Sequence, residues 1–459
     1  MIYSIGLSED FSDKLASFML DKYRNNPFEM ACTEIILPTK RACLTVKEAF
    51  LRASQESSLL LPKLTALYEM ENLDINLPQK MSKLNRTLLL SKLCGAKPNI
   101  GSLDKAVMVA IGLGELLDEF YQYETDINLL PTLVQEKQFA DHWNETVIFL
   151  DIIHTVWPQI LAERGQIDEM DYRIRMIKSY AQKWREFPPS HPIIMAGFDG
   201  AIPAVIELAK TVNSLPNGIL FLSGVDTCIQ SDDFDKLPLT HPQYPLKRLL
   251  DGLNMKPQDI QTNATITEPE RLMHETLKPA EQTDSWQHIQ DMTAQSIAHI
   301  KRFDCDNTAL EALTVALLLR EVLQTPEKTA AFITTDRALA RRVSVEMKRW
   351  DIQLDDSAGT PLSQTPVGVY LSLLSEMALN PDSGTHLLAL LKHPLSADQD
   401  YPTTLRVKIK SAEKSARSEN RSLSYQTNTD LSDLVHVFSN RSLVSFKTLL
   451  ETHIKTAER

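Results

Sequence analysis

A chain of 459 residues, 43% hydrophobic and 24% charged with net charge −12, is too long for one core and implies two to four domains of ordinary globular type. The negative charge excludes a protein coated in nucleic acid but not a basic channel in an acidic shell. No apolar run reaches the ~20 residues of a bilayer span, Met1 and the residues after it lack signal-peptide regions, and Cys32, Cys43, Cys94, Cys228 and Cys305 form neither a disulfide framework nor a metal-ligand spacing; a cytoplasmic protein away from membranes is expected.

The first strand is expected at Tyr3, Ser4 and Ile5, followed by Gly6 and a helix with Phe11, Leu15, Phe18 and Met19 on one face. An ATPase would carry its phosphate loop here, with G-x-x-x-x-G-K-[ST] giving close backbone approach and a Lys for the phosphates. The turn instead places Glu9 and Asp10 where phosphates would sit, and Lys14 is not preceded by Gly. The loop at Gly6, Glu9 and Asp10 is thus degenerate, and no cofactor is expected to bind it.

Ile35, Ile36 and Leu37 form an apolar run suited to a strand covered on both faces. Thr39 can cap the helix that follows, on which Ala42, Val46, Ala49, Phe50 and Ala53 recur at helical spacing. Lys40 and Arg41 fall in its first turn, where cations oppose the helix dipole at about 0.3–1 kcal/mol each. A phosphate at the helix N-terminus would relieve them; two solvated cations would also need no further partner.

From residue 59 to 187 helical stretches dominate, with few strand candidates. Leu84, Leu88 and Leu89 are expected on one face of a helix, residues 107–123 form an apolar helix, Trp143, Ile148, Ile152 and Trp157 lie on another, and Ile174, Ile177 and Ala181 on a fourth. Their aromatic residues are at helical spacing and read as core rather than as base-stacking platforms.

Strands return at residues 192–197 and 218–224. Between them Pro203 opens a helix carrying Val205, Leu208 and Val212, which completes a β-α-β unit and a parallel-sheet signature. Asp199 and Asp226 follow these strands at the functional rim of an open α/β sheet, as loop caps or, alternatively, metal carboxylates. Residues 230–278 read as a surface excursion with a short helix at 246–253.

A second sheet is expected to open at residues 298–303, followed by a helix at 309–323, a strand at 330–334, an extension at 352–356 and a helix at 367–379. Thr335, Asp336, Arg337 and Ala338 repeat the T-x-R-A pattern of Thr39 to Ala42, 335 − 39 = 296 positions on, at what is expected to be the same strand-to-helix turn. The helix that follows is expected to carry Leu339, Val343, Val345 and Met347. Beyond Pro394 the chain turns polar, with Lys408, Lys410, Lys414 and Arg417 on a basic stretch.

Several stretches together resemble the N-terminal half of the alphaproteobacterial type of AddB, a subunit of the AddAB helicase-nuclease of double-strand-break repair. They are IILPTKRACLTVKEAFL, HWNETVIFLDIIHTVWPQILAERG, PIIMAGFDGAIPAVIELAK, HPQYPLKRLLDGL and AAFITTDRALARRVSVEMKRWDIQLDDSAGTPLSQTP, in order over most of residues 1–395. The resemblance implies an α/β fold with two RecA-like, superfamily 1 helicase lobes. They would occupy residues 1–58 and 189–229, with a helical insertion at 59–188, a linker at 230–294, a second lobe at 295–395 and the start of a second helical insertion at 396–459.

It further implies a subunit without a working ATP loop that grips single-stranded DNA, scans for a Chi-type recombination hotspot and pairs with AddA on DNA ends, with ATP and magnesium held in that partner. The DNA-binding residues are expected at Thr39, Lys40, Arg41, Lys63, Arg337 and Arg342. The family's nuclease domain of the PD-(D/E)xK type has no matching carboxylate-Lys set here and is expected downstream of Arg459, so no catalytic or metal-binding residue is assigned. Two alternatives stand beside this reading: an active ATPase or metal-dependent nuclease using Asp199 and Asp226, and a pure protein-interaction scaffold.

Overall fold

The computed structural model describes residues 1–54, 59–70, 77–97, 102–127, 129, 150–262, 266–288, 297, 300–326, 328–380, 383–396 and seven positions between 407 and 415. The chain divides into two compact units, Met1–Lys301 and Arg302–Arg459. Trp143, Ile148, Ala298, Lys408 and Arg417 lie outside the described residues.

The first unit is built on strands β1 Ile2–Ile5, β2 Glu34–Leu37, β3 Lys63–Ala66, β4 Gln79–Lys80, β5 Gln166–Ile167, β6 Ile193–Ala196, β7 Gly218–Ser223 and β8 Gln261–Thr262. Its helices are α1 Phe11–Lys22, α2 Pro27–Cys32, α3 Lys40–Ala53, α4 Lys83–Gly95, α5 Leu103–Tyr123, α6 Trp157–Arg164, α7 Glu169–Glu186, α8 Pro203–Ser214, α9 Ser231–Asp235, α10 Tyr244–Leu253 and α11 Glu268–Thr276. Six strands form one all-parallel sheet in the order β3-β2-β6-β7-β1-β8, while β4 and β5 pair separately.

Both sheet faces are covered, which is why β2, β6 and β7 are continuous apolar runs. Ile35, Leu37, Ile194, Ala196, Ile219 and Phe221 face α1 and α3, meeting Leu15, Met19, Val46, Ala49 and Phe50. Their neighbours Ile36, Ile193, Met195, Leu220 and Leu222 face the opposite layer, where α7 and α8 bring Ile174, Ile177, Ala181, Val205, Leu208 and Val212. The first unit is therefore a three-layer α/β fold, as the strand and helix periodicities of its two ends require.

Three expectations for this unit need correction. Residues 59–188, expected as a helical insertion with few strands, contribute β3 to the sheet, and α7 packs on that sheet as well as against α5. In that block, α4, α5 and α6 enclose Leu90, Cys94, Ala110, Leu113 and Trp157, but Leu84 and Leu88 are 68% and 51% exposed. The inward face of α4 instead carries Arg86, Leu90, Ser91 and Cys94, because a buried ion pair at Arg86 takes a place that leucine spacing alone assigns to an apolar residue. The third correction concerns residues 230–278, which are no surface excursion. Phe234, Leu237, Leu246, Leu249, Leu250 and Ile260 are buried in the sheet-side core, and β8 extends the sheet beyond β1.

The second unit contains α12 Thr308–Val322, α13 Arg337–Lys348, α14 Pro366–Leu379 and α15 Gly384–Lys392. Asn307, Asp336, Thr365 and Ser383 cap them, each accepting a bond from a first-turn backbone N–H. Ala312, Ala316, Leu339, Val343 and Met347 make one core, and Leu374, Met377, Leu387 and Leu390 another.

No strand occurs among the described residues of this unit. Residues 330–334 run extended without a paired neighbour: Phe332 turns toward the helices while Ile333 is 91% exposed. Residues 352–356 and the described part of 298–303 likewise form no strand. Val345 is also 61% exposed and not on the core side of α13. An apolar run supplies strand propensity, but a sheet needs a hydrogen-bonded neighbour, and here the helices alone take the apolar side chains. The T-x-R-A turns consequently do not share a strand-to-helix setting.

Candidate functional site

The connection leaving β1 enters α1 on one face of the sheet, and that leaving β7 enters α9 and α10 on the other. Between the carboxyl ends of these neighbouring strands the chain therefore diverges, and in an open α/β sheet such a divergence makes the ligand crevice. A cavity of about 70 Å³ lies there, with Gly6 and Leu7 from one loop, Asp226 and Cys228 from the other, and Glu270 and His274 of α11 closing it. Asp226, Cys228, His241 and His274 also line a neighbouring cavity of about 260 Å³ that runs toward Glu275 and Lys278.

The turn after β1 is organised by its own carboxylates. Glu9 donates its N–H to the Gly6 carbonyl at 3.2 Å and pairs through its side chain with Lys14 at 2.6 Å. Asp10 caps α1 by accepting from the Asp13 N–H at 2.9 Å. The Ser8 N–H, which in a phosphate loop would point at the ligand, donates to Glu270 Oε1 at 3.0 Å. Glu270 Oε2 accepts from the Thr267 N–H at 2.7 Å and hydroxyl at 3.0 Å, completing a capping box at the start of α11. Partial burial raises the Glu270 pKa, but the bonds from Thr267 and Ser8 outweigh it and hold the carboxyl below its ordinary value.

On the other side, Gly224 turns the chain out of β7 at φ 68°, a conformation suited to glycine. Its carbonyl accepts from Gln243 Nε2 at 2.9 Å, and Gln243 Oε1 accepts the Asp226 N–H at 3.1 Å. Asp226 Oδ1 accepts the Cys228 N–H at 2.9 Å, while Oδ2 lies 2.8 Å from His274 Nδ1. His241 accepts the Gln243 N–H on Nδ1 at 3.1 Å, so its Nε2 carries the proton donated to the Leu277 carbonyl at 3.0 Å. The Cys228 thiol is pushed up first by burial and then by Asp226, away from a reactive thiolate. Asp199, after β6, accepts the Ala201 N–H at 3.1 Å as a loop cap. Asp226 has the same local role and gains a histidine besides.

Of the six residues expected to bind DNA, the structure brings three together. Thr39 caps α3, its hydroxyl accepting from the Ala42 N–H at 3.1 Å. Lys40 is 75% exposed and pairs with Glu69, just beyond β3, and Arg41 is exposed beside it. Lys63 starts the neighbouring strand β3, at the amino end of the sheet and not at the carboxyl end that Arg41 follows. Parallel β2 and β3 align Glu34 with Lys63 and Leu37 with Ala66, so Lys63 lies roughly 10 Å from the rim that holds Arg41, and it pairs with Glu34 at 3.3 Å. Arg337 and Arg342 belong to the second unit. Arg337 makes a two-pronged pair with Asp356 at 3.0 and 2.7 Å, and Arg342 is exposed on α13.

Two groupings are absent from the sequence-based reading. The closure of the crevice by Glu270 and His274 was signalled only by Thr267-Glu268-Pro269-Glu270, a capping-box pattern that marks a helix start but not its destination. In the helical block, Arg86 pairs with Asp118 at 2.7 Å and with fully buried Asp168 at 3.3 Å. Trp157 Nε1 donates to Asp168 at 2.7 Å. Segments 82 positions apart (168 − 86) meet there, which no local pattern announces. No protein-family model and no curated protein sequence matches the chain.

Proposed function

We propose that the chain is a helicase-like subunit of AddB type, acting in double-strand-break repair as a DNA-gripping, non-hydrolysing partner of an AddA-type helicase-nuclease. In this reading the first unit is a RecA-like lobe carrying a helical insertion, and the second unit contributes a basic helix. The observation that carries it is the carboxylate of Glu270 on the Ser8 N–H, at the crevice where a nucleotide-hydrolysing lobe would hold phosphate. With Asp226 lining the same crevice, that position repels a triphosphate instead of neutralising it. The exposed Lys40 and Arg41 at the first turn of α3 supply the phosphate contacts that DNA gripping needs.

Phosphate contacts release counterions, so single-stranded DNA affinity of the purified chain should fall with salt, each contact adding about −0.7 to the log-log slope. Arg41→Ala should flatten the slope by about one contact, and Lys63→Ala, at the opposite, amino end of the strands, should leave it unchanged. Equal slopes for wild type and Arg41→Ala would remove this turn from the DNA site.

A second reading, a protein-interaction scaffold, is favoured by the helical block. Leu84 and Leu88 on α4 and Met108 on α5 are 68%, 51% and 70% exposed, more apolar surface than a solvated face requires. Stable copurification with an AddA-type subunit, in a complex whose DNA affinity is indifferent to Arg41→Ala, would select it.

A further inference from the structure

We propose that α11 is a displaceable strap, latched across the switch-point crevice by Glu270 and His274, so that access to the crevice is gated by the opening of one helix. Helices of this unit that belong to the core bury many side chains: α8 buries Ala204, Val205, Leu208, Ala209, Thr211 and Val212. None of the residues of α11 is buried. What fastens it is polar: Glu270 on the Ser8 N–H, His274 on Asp226, His241 Nε2 donating to the Leu277 carbonyl at its end, and Trp286 Nε1 donating to the Glu275 carbonyl at 3.0 Å.

A segment held by polar bonds at the surface opens locally at a small fraction of the cost of global unfolding, because water replaces the lost partners and the helix withdraws no fully buried side chain. The sheet beneath does not need the strap. Leu220 and Leu222 pack with α8 and α10, and β1 pairs with β7 over Ile2 to Ile5. Lifting α11 therefore exposes a formed crevice and leaves the core intact. Met273 and Ile266, each about half exposed at its lip, would move with the strap.

The inference rests on the proposed function only for what the crevice is; the gate itself is tested without nucleotide or DNA. Cys228 lines the crevice under the strap, whereas Cys94 is fully buried in the helical block and reports global unfolding. The full chain is labelled with a thiol reagent, and modification at each cysteine is followed by peptide mass mapping, for wild type and for the Glu270→Ala/His274→Ala double variant. Cys228 labelling should accelerate about tenfold or more with Cys94 unchanged. Removing the Glu270 charge lowers the Cys228 thiol pKa even without opening, so the rates compared are those of the thiolate, taken from the plateau of labelling at high pH, where acceleration reports opening. Hydrogen exchange should rise over residues 268–276 and stay constant over 203–214. An unchanged Cys228 rate overturns the gate, and parallel acceleration of Cys94 overturns it by making α11 part of the global fold.

Discussion

Arg86 is 7% exposed and Asp168 is fully buried, in a block otherwise lined by leucine, alanine and tryptophan. Burial pushes the Asp168 carboxyl up, while Arg86 and the Trp157 and Tyr121 hydrogen bonds pull it back. The Tyr121 phenol beside it is pushed up by burial and by that carboxylate. Arg86→Leu would leave Asp168 without its counter-charge, and removing one partner of a buried pair costs about 3–5 kcal/mol. Urea denaturation followed by circular dichroism should show a loss of that size. At Glu270 the sign runs toward acid. Its folded pKa lies below the unfolded value of about 4.5, so its contribution is present above that value and lost as pH falls through the lower folded one. The stability difference between wild type and Glu270→Gln should therefore be constant near neutrality and vanish in strong acid; a difference that persists at pH 2 would contradict it.

Among elements, burial separates helices that sequence periodicity treats alike. Leu208 on α8 is completely buried and Leu88 on α4 half exposed. Leu208→Ala should cost about 2–5 kcal/mol, and Leu88→Ala should stay within about 0.5 kcal/mol, measured by thermal or urea unfolding. Gly200 is a backbone-contact position: an added Cβ would collide with the Leu249 nitrogen and Pro245 carbonyl of α10, to which Gly200 itself donates at 2.9 Å. Gly200→Ala should destabilise by about 1–3 kcal/mol through displacement of α10.

The same contrast explains what could be read in advance. β1, β2, β6 and β7 with α1, α3 and α8 are legible because each carries a complete local pattern: a short apolar run, a cap or Pro, and a face at helical spacing. β3 contributes only Thr65 and Ala66 to the buried set, and β8 is only two residues long, so pairing with a neighbour, not an apolar run of their own, makes them strands. Residues 330–334 are the converse, an apolar run with nothing to pair with.

In the whole molecule, legibility ends where distant segments meet. The acidic turn at Gly6, Glu9 and Asp10 was readable; that Glu270, 262 positions from Ser8, bonds to it was not. The nucleotide question is settled at this scale, because any ligand that binds only the native state raises its stability, by about 2.7 kcal/mol at a hundredfold excess over Kd. Calorimetry with millimolar Mg-ATP should show no shift in Tm for the full chain, and a rise of several degrees would restore the ATPase reading. No described helix is long and apolar enough to cross a membrane.

The strap has a mechanical consequence. Thr276 ends α11, and Arg302 begins the second unit 302 − 276 = 26 positions later, so tension transmitted along that tether reaches α11 before it reaches the sheet. The bonds at Glu275 and Leu277, then the clasps at Ser8 and Asp226, would part first, sparing the strands behind them. The helix would then yield as a fuse within the first unit, and pulling a single molecule from its two ends should register a small early yield ahead of the main rupture.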